Sequence, residues 1–301
     1  MAYTNGTDRL VYLKLVMVAL FWAGTFIATR VASQTFEPFS GAFIRYAIAL
    51  IFLLPLAFRQ NRQWFRVNRK QLPVLLLLGF SGIFAYNFFF FKGLKLIPAS
   101  RGALLVGLNP TLVMLTSAIF LKERITGRKV LGIFISLLGV AIVISRGKLF
   151  ALLSSLETGD LFMLGCPITW AIYTMAGREA LKHTTPLQAS TWASLSGSLM
   201  LLAFTGTESF PPHVPFNVWV ALAYLGVVGT VIAFVWYYDG ISRIGAMRTS
   251  IFTNLIPVFA VILSVLILKE QVSWYTWVGC ALVIGGVLFV NLSSRSHRPG
   301  A

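Results

Sequence analysis

The chain of 301 residues is short of acid: nine Asp and Glu stand against 25 Lys and Arg, and charged residues of either sign make up only 11% of it. Soluble globular chains carry about 25% charged residues, so an ordinary soluble domain is excluded. With 57% hydrophobic residues, so is intrinsic disorder, which needs a chain poor in apolar side chains. Cysteine is nearly absent. Cys166 and Cys280 each fall inside an apolar stretch, and two isolated thiols make neither a disulfide framework nor a metal-ligand set. The three histidines, His183, His213 and His297, lie outside the apolar stretches, and neither HExxH nor GxxxxGK[ST] occurs. No metal, no cofactor and no nucleotide-driven pump is therefore expected. A formal charge of +16 would in a soluble protein suggest nucleic acid; here the basic residues must first be placed relative to a membrane.

What the chain has in abundance is apolar runs of about 20 residues, the length that crosses a hydrocarbon core as helix. Ten are expected, near Leu10 to Thr29, Ser40 to Phe58, Leu72 to Phe91, Ala99 to Leu121, Val130 to Ser145, Asp160 to Gly177, Leu187 to Thr205, Phe216 to Tyr238, Ala246 to Leu268 and Trp274 to Leu292. The first is read as a retained helix, because it is too long for a signal-peptide core and Arg30 occupies the place of a small neutral cleavage residue. Basic residues collect in cytoplasmic loops. Arg59, Arg62, Arg66, Arg69 and Lys70 follow the second span, and Lys122, Arg124, Arg128 and Lys129 follow the fourth. Both termini are thus expected in the cytoplasm, in a multi-pass protein of the plasma (cell inner) membrane. Lys92, Lys95, Arg146 and Lys148 run against that assignment.

The two halves are copies. Pro110 and Pro257 are 147 residues apart, and the same shift carries Leu78-Gly79 onto Leu225-Gly226, Gly82 onto Gly229, Arg101 onto Arg248 and Leu121-Lys122-Glu123 onto Leu268-Lys269-Glu270. Earlier in the chain a shift of 148 pairs Trp22-Ala23 with Trp170-Ala171 and Arg30 with Arg178. Each copy, residues 10–146 and 159–293, holds five spans, and an odd number turns the second upside down relative to the first. Inverted repeats belong to carriers whose site lies between the halves near the midplane.

The stretches Gly93 to Val140 and Gly240 to Val287, each with an intraspan proline, a Leu-Lys-Glu and then a glycine-spaced apolar helix, resemble the EamA domain. Trp22-Ala23-Gly24-Thr25 and Arg45 are similar to that family's first repeat. Two tandem copies resemble the drug/metabolite transporter superfamily over nearly the whole chain. The resemblance implies an all-α membrane protein of two inverted five-helix repeats, and transport of a small solute. Family members export amino acids and other metabolites, and more distant relatives carry drugs, sugar phosphates or nucleotide sugars. Export as the direction comes from the resemblance alone.

Candidate site residues follow from polarity at depth. Pro110 and Pro257 each remove a helical hydrogen bond in mid-span and are expected to kink their helices beside Asn109 and Asn254. Trp22 and Trp170 are repeat-related, and Tyr86, Tyr173, Trp192, Trp236 and Tyr237 add rings. With Thr25 they form an aromatic-walled cavity for an amphipathic solute if they face inward; packing and lipid contact are the alternatives. Arg45 lies about 7 Å inside the outer end of its span. It can hold a substrate carboxylate, pair with Asp160 or reach the headgroups. Arg101 with Glu270 outside, and Arg248 with Glu123 inside, are candidate gate pairs. No acid or histidine marks the midplane, so a proton antiporter built on a buried carboxylate is not expected. An intramembrane enzyme or a channel is the alternative: the first finds no known hydrolytic constellation in the spans, and the second fits poorly with inverted halves, which suggest alternating access. The expected partners are the lipid bilayer and a small molecule, not nucleic acid; the glycine spacing at Gly132, Gly139, Gly279 and Gly286 serves packing either within one chain or between chains.

Overall fold

A computed structural model describes residues 5–121, 127–152, 154–244, 249 and 252–293. The described residues form helices and short connections, with no strand. The first half contains α1 (Asn5–Ala32), α2 (Pro38–Gln60), α3 (Leu72–Leu78), α4 (Tyr86–Leu96), α5 (Ala99–Val106), α6 (Asn109–Leu121) and α7 (Gly127–Ile144). The second contains α8 (Thr158–Ala180), α9 (Pro186–Thr205), α10 (Phe216–Ala223), α11 (Ala233–Ile244), α12 (Ile256–Leu268) and α13 (Trp274–Ser293). Helix starts follow local chemistry. Pro38 and Pro186 stand in the first turns of α2 and α9, where a missing N–H costs nothing. Glu157 and Asp160 form a reciprocal capping box at the start of α8.

Four helical stretches are long and apolar enough to cross a membrane: Leu10–Ala32, Pro38–Gln60, Leu72–Leu96 and Phe216–Tyr237. Val130–Ile144, Phe252–Leu268 and Trp274–Gly286 are apolar but shorter. Spans six and seven appear as α8 and α9, of 23 and 20 residues, diluted in hydropathy by Ser, Thr and Gly. The fourth span is broken rather than kinked, since α5 ends at Val106 and α6 begins at Asn109-Pro110. In the second copy a 3₁₀ turn, Phe252–Leu255, stands ahead of Pro257 in the first turn of α12. In both copies the proline stands in the first turn of a helix, where a missing N–H is tolerated better than in an interior. The exterior is that of a membrane protein: Ile51, Phe120, Phe134 and Leu266 are each at least 60% exposed, a surface that water does not tolerate over such a breadth.

Helices of one half pack on helices of the other. α2 lies against α9, α4 against α8, α5 against α12, α7 against α13, and α1 against α10 and α11. The start of α2 at Ser40 meets Glu208 beyond the end of α9, while its last residue, Gln60, meets Thr185 before the start of α9. The pair is therefore antiparallel, as inverted copies require. At the edge of the bundle α7 and α13 touch through glycine: a Cβ on Gly139 would stand 2.8 Å from the Gly279 carbonyl oxygen, and one on Gly286 would stand 2.5 Å from that of Gly132. The glycine stripe thus packs within one chain. Replacing Gly139 with Leu forces these backbones apart and is expected to lower stability by about 1–3 kcal/mol, seen as earlier thermal unfolding in detergent. Gly285→Ala, where a Cβ meets nothing within 4 Å, should leave the transition in place.

Candidate functional site

Between α3 and α4 the helix widens into a π-helical stretch, Gly79–Ala85, and between α10 and α11 into another, Tyr224–Ile232. They are repeat-related at the shift that carries Gly82 onto Gly229, and in each the closing N–H reaches the fifth carbonyl back: Tyr86 to Ser81, and Ala233 to Val228. π-Stretches within α-helices cluster at functional sites because they loosen the backbone ladder and leave carbonyls needing other donors. Here side chains supply them. Asn87 Nδ2 donates to the Ile83 carbonyl at 2.8 Å, and Thr230 Oγ1 donates to that of Leu225 at 2.8 Å. The two glycines admit a side chain from the opposite half, Tyr173 against Gly82 and Thr25 against Gly229; Thr25 and Tyr173 are themselves related by the shift of 148. Trp22 Nε1 donates to the Gly229 carbonyl at 3.1 Å.

Arg45 lies between these stretches. It is 6% exposed, so it neither snorkels to the headgroups nor pairs with Asp160. Its Nη1 donates to Asn87 Oδ1 at 3.0 Å, and its Nε and Nη2 both reach Thr230 Oγ1 at 3.4 Å. Its guanidinium carbon stands 5.3 Å from the Tyr46 ring centre. Among the described residues no carboxylate forms an ion pair with it. Thr230 also lines a cavity of about 20 Å³, with Tyr46, Tyr173, Ser190, Ser194 and Phe234 on its walls and Leu53 at one side. One helical turn further along α2, beginning at Ala57, the same α2–α9 seam opens into a cleft of about 270 Å³ lined by Gln60, Asn61, Trp64, Thr185 and Gln188.

The expected aromatics divide between this seam and other contacts. Tyr173 joins the cavity wall, and through Trp170 (5.3 Å) and Tyr86 (5.6 Å from Trp170) a row of rings reaches Asn109, whose side chain meets the Tyr86 hydroxyl. Trp22 packs on Phe234 at 5.5 Å and on Tyr237 at 5.0 Å. Trp192 and Trp236 do not line the cavity. Trp192 sits 6.0 Å from Trp64, and Trp236 sits 5.7 Å from Phe21. Each is two residues from a cavity-lining position, Ser190 or Phe234, and two residues turn a helix by about 200°. Asn254 is 7% exposed. Among the described residues its Nδ2 and Asn109 Oδ1 are buried without hydrogen-bond partners, each close in sequence to Pro257 or Pro110.

The charged ends also differ from expectation. Arg101 does not pair with Glu270. Its guanidinium lies along the Asp160 carboxylate, Nε to Oδ1 at 2.7 Å, with Nη1 on Glu157 Oε1 at 3.2 Å, and Asp160 is fully buried. Glu270 instead accepts from the Ala99 and Ser100 N–H groups at 2.7 and 3.1 Å and from the Ser100 hydroxyl at 2.6 Å. Glu208 does the same at α2, accepting from the N–H groups of Phe39 and Ser40 at 2.9 and 2.7 Å and from the Ser40 hydroxyl at 2.8 Å. Exposed N–H groups and the positive end of the helix dipole attract carboxylates to both places. Lys95 pairs with Glu37 and Arg146 with Glu157 at this same end, so two of the basic residues that contradict the charge rule are neutralised locally. Arg248 and Glu123 lie outside the described residues. At the opposite end Lys14 of α1 reaches Asp239 of α11 at 3.0 Å. Partial burial pushes the Asp239 carboxyl up, but hydrogen bonds and charge from Arg243 and Lys14 outweigh it and hold the group below its ordinary range.

Asn87 and Thr230 are the residues missed from sequence. A lone Asn or Thr in an apolar span carries no distinctive signal, but the repeat-related glycine pair before each of them does.

The geometry has counterparts in known proteins. The profile of the EamA-like transporter family matches residues 9–145 and 157–292, and the chain belongs to that family. It is 34% identical to the uncharacterized transporter YyaM of Bacillus subtilis, covering 92% of each chain. It is 29% identical to the aromatic amino acid exporter YddG of Ancylobacter novellus over 76% of this chain and 79% of that one. A probable terminal-alkyne amino-acid exporter of Streptantibioticus cattleyicolor is 25% identical, with 94% of each covered. A solved crystal structure shares the fold, with a TM-score of 0.68 at 22% identity over 97% of this chain and 99% of its own.

The pairing of Arg101 can be separated from the alternative by charge exchange. Arg101→Leu strands the buried Asp160 and is expected to cost about 3–5 kcal/mol in detergent thermal unfolding. The exchange Arg101→Asp with Asp160→Arg should recover part of that loss. Arg101→Glu with Glu270→Arg should recover none.

Proposed function

We propose that the chain is a carrier of the cell inner membrane, with ten transmembrane helices and both termini in the cytoplasm. It exports a small amphipathic metabolite, amino acids or related compounds, by alternating access around the cavity beside Arg45. The observation that carries this reading is the position of that cavity: on the seam between two antiparallel copies, flanked by both π-stretches, with a buried cation and aromatic walls. Two relatives named as amino-acid exporters support the cargo class. The orientation is supported by charge, because Arg59, Arg62, Arg66 and Arg69 gather at the Gln60 end while Glu37, Glu157, Asp160, Glu208 and Glu270 gather at the other.

Alternating access gains support from a comparison of the two ends. Glu208 clasps the start of α2, joining the halves at the outer face. Its repeat counterpart at a shift of 148 is Gln60, whose Oε1 accepts from Thr185 Oγ1 at 3.2 Å beside the 270 Å³ cleft. The seam is closed outside by a carboxylate and open inside around a neutral pair. In this reading the molecule faces inward.

Counterflow in proteoliposomes tests the function. Saturable exchange of at least one amino acid is expected, with amines, sugar phosphates and nucleotide sugars as comparison arms; exchange confined to one of those arms would reassign the cargo. Asn109→Leu and Asn254→Leu should each abolish exchange while leaving expression intact. Oxidising a chain carrying Ser40→Cys and Glu208→Cys should lock the outer clasp and stop counterflow, and reductant should restore it. Exchange that continued with the disulfide formed would show that this end does not open.

A further inference from the structure

We infer that Arg45 is the anchor for a carboxylate on the cargo, so that the carried solutes are acids or zwitterions and their decarboxylated or amidated analogues are not carried. This rests on the carrier reading above and narrows its substrate class.

A guanidinium taken out of water loses several kcal/mol of solvation, which an opposite charge ordinarily offsets. Arg45 has none among the described residues. Its neutral partners are used in a telling way. Nη1 has a good bond to Asn87 Oδ1 at 3.0 Å, but Nε and Nη2, the two donors of the fork that matches a carboxylate, converge on the single Thr230 hydroxyl oxygen at 3.4 Å each. One oxygen stands where two fit. A carboxylate would give each donor its own acceptor and supply the missing charge.

A small cavity of about 20 Å³ adjoins the same side. Thr230, the acceptor that both donors share, forms part of the cavity wall, so a carboxylate admitted when the seam widens would take the place of that hydroxyl on the fork. Thr230 loses little, because its Oγ1 already donates to the Leu225 carbonyl at 2.8 Å. Asn87 stays fixed by its bonds to the Ile83 carbonyl and the Tyr46 hydroxyl and keeps the guanidinium oriented. The cavity wall offers hydroxyls and rings for the rest of the solute, but no Lys or Arg. A phosphate, with its second charge and larger girth, finds no second cation there among the described residues. Towards Gln60, beyond the buried Leu53 and Ala57, the seam ends in the larger cleft, flanked in sequence by Arg59 and Arg62, which raises the local concentration of an anion.

The test uses the full chain in proteoliposomes and a panel of matched triplets, each an amino acid, its amide and its decarboxylated amine: phenylalanine, leucine, methionine and alanine with their partners. In the wild type the acids should exchange at least tenfold faster than their amides and amines. Arg45→Gln should remove that preference and the exchange with it. Arg45→Lys keeps the charge but not the fork, and should raise KM for the acids about tenfold with kcat largely retained; it also serves if Arg45→Gln does not fold. Amides and amines exchanging as fast as the acids, or acids exchanging undiminished through Arg45→Gln or with unchanged KM through Arg45→Lys, would overturn the anchor and leave the carrier intact. No exchange of any panel member by a folded wild-type protein would instead overturn the amino-acid carrier reading and the anchor with it.

Discussion

Hydrocarbon offers no hydrogen bonds, so a polar group at depth in this bundle is costly unless another part of the chain answers it. The centre of the molecule is arranged around that constraint. Two π-stretches release backbone carbonyls; Asn87 and Thr230 answer them with side-chain donors and still have acceptor capacity left. Arg45, from a third helix, uses that capacity. The result is a polar knot crossing the boundary between the halves, since Arg45 and Asn87 come from the first copy and Thr230 from the second. The glycines that let Tyr173 and Thr25 close on the two stretches belong to the same arrangement.

The ends of the bundle obey a different rule. There the unanswered groups are the N–H donors of helices that begin at Pro38 and just after Pro98, each proline followed two residues later by a serine, and the answer is a carboxylate sent across from the other half. The shortage of acid in the sequence therefore does not mean that acids are unimportant. Five of the nine are concentrated at one end, where they cap helices, bury Arg101 and neutralise Lys95 and Arg146.

Much of this was legible before any coordinates. The duplicated Trp-Ala, Leu-Gly and Leu-Lys-Glu segments gave away two related halves, because a repeat leaves its register in the chain. Arg45 stood out because an arginine in an apolar span is costly anywhere. What could not be read was facing. Trp192 and Trp236 are as intraspan as Tyr173, yet two positions along a helix separate a wall of the cavity from a contact behind it. Pairing was hidden for a similar reason: Asp160 and Glu270 are both acids at the same end as Arg101, and only tertiary placement gives one the guanidinium and the other a helix start. The π-stretches carry no sequence signature beyond paired glycines, so the helices that contain them read as ordinary spans.

Gln60 and Glu208 hold equivalent posts at opposite ends of one seam, and they differ by a single substitution of amide for acid. A carboxylate on a helix start is charge-assisted and weakened by salt; a carboxamide is not. The two faces of this near-symmetric molecule are therefore not chemically interchangeable. Salt at one end of the seam therefore acts directly on a fastening, while the same salt at the other end meets a fastening at this position with no charge to screen.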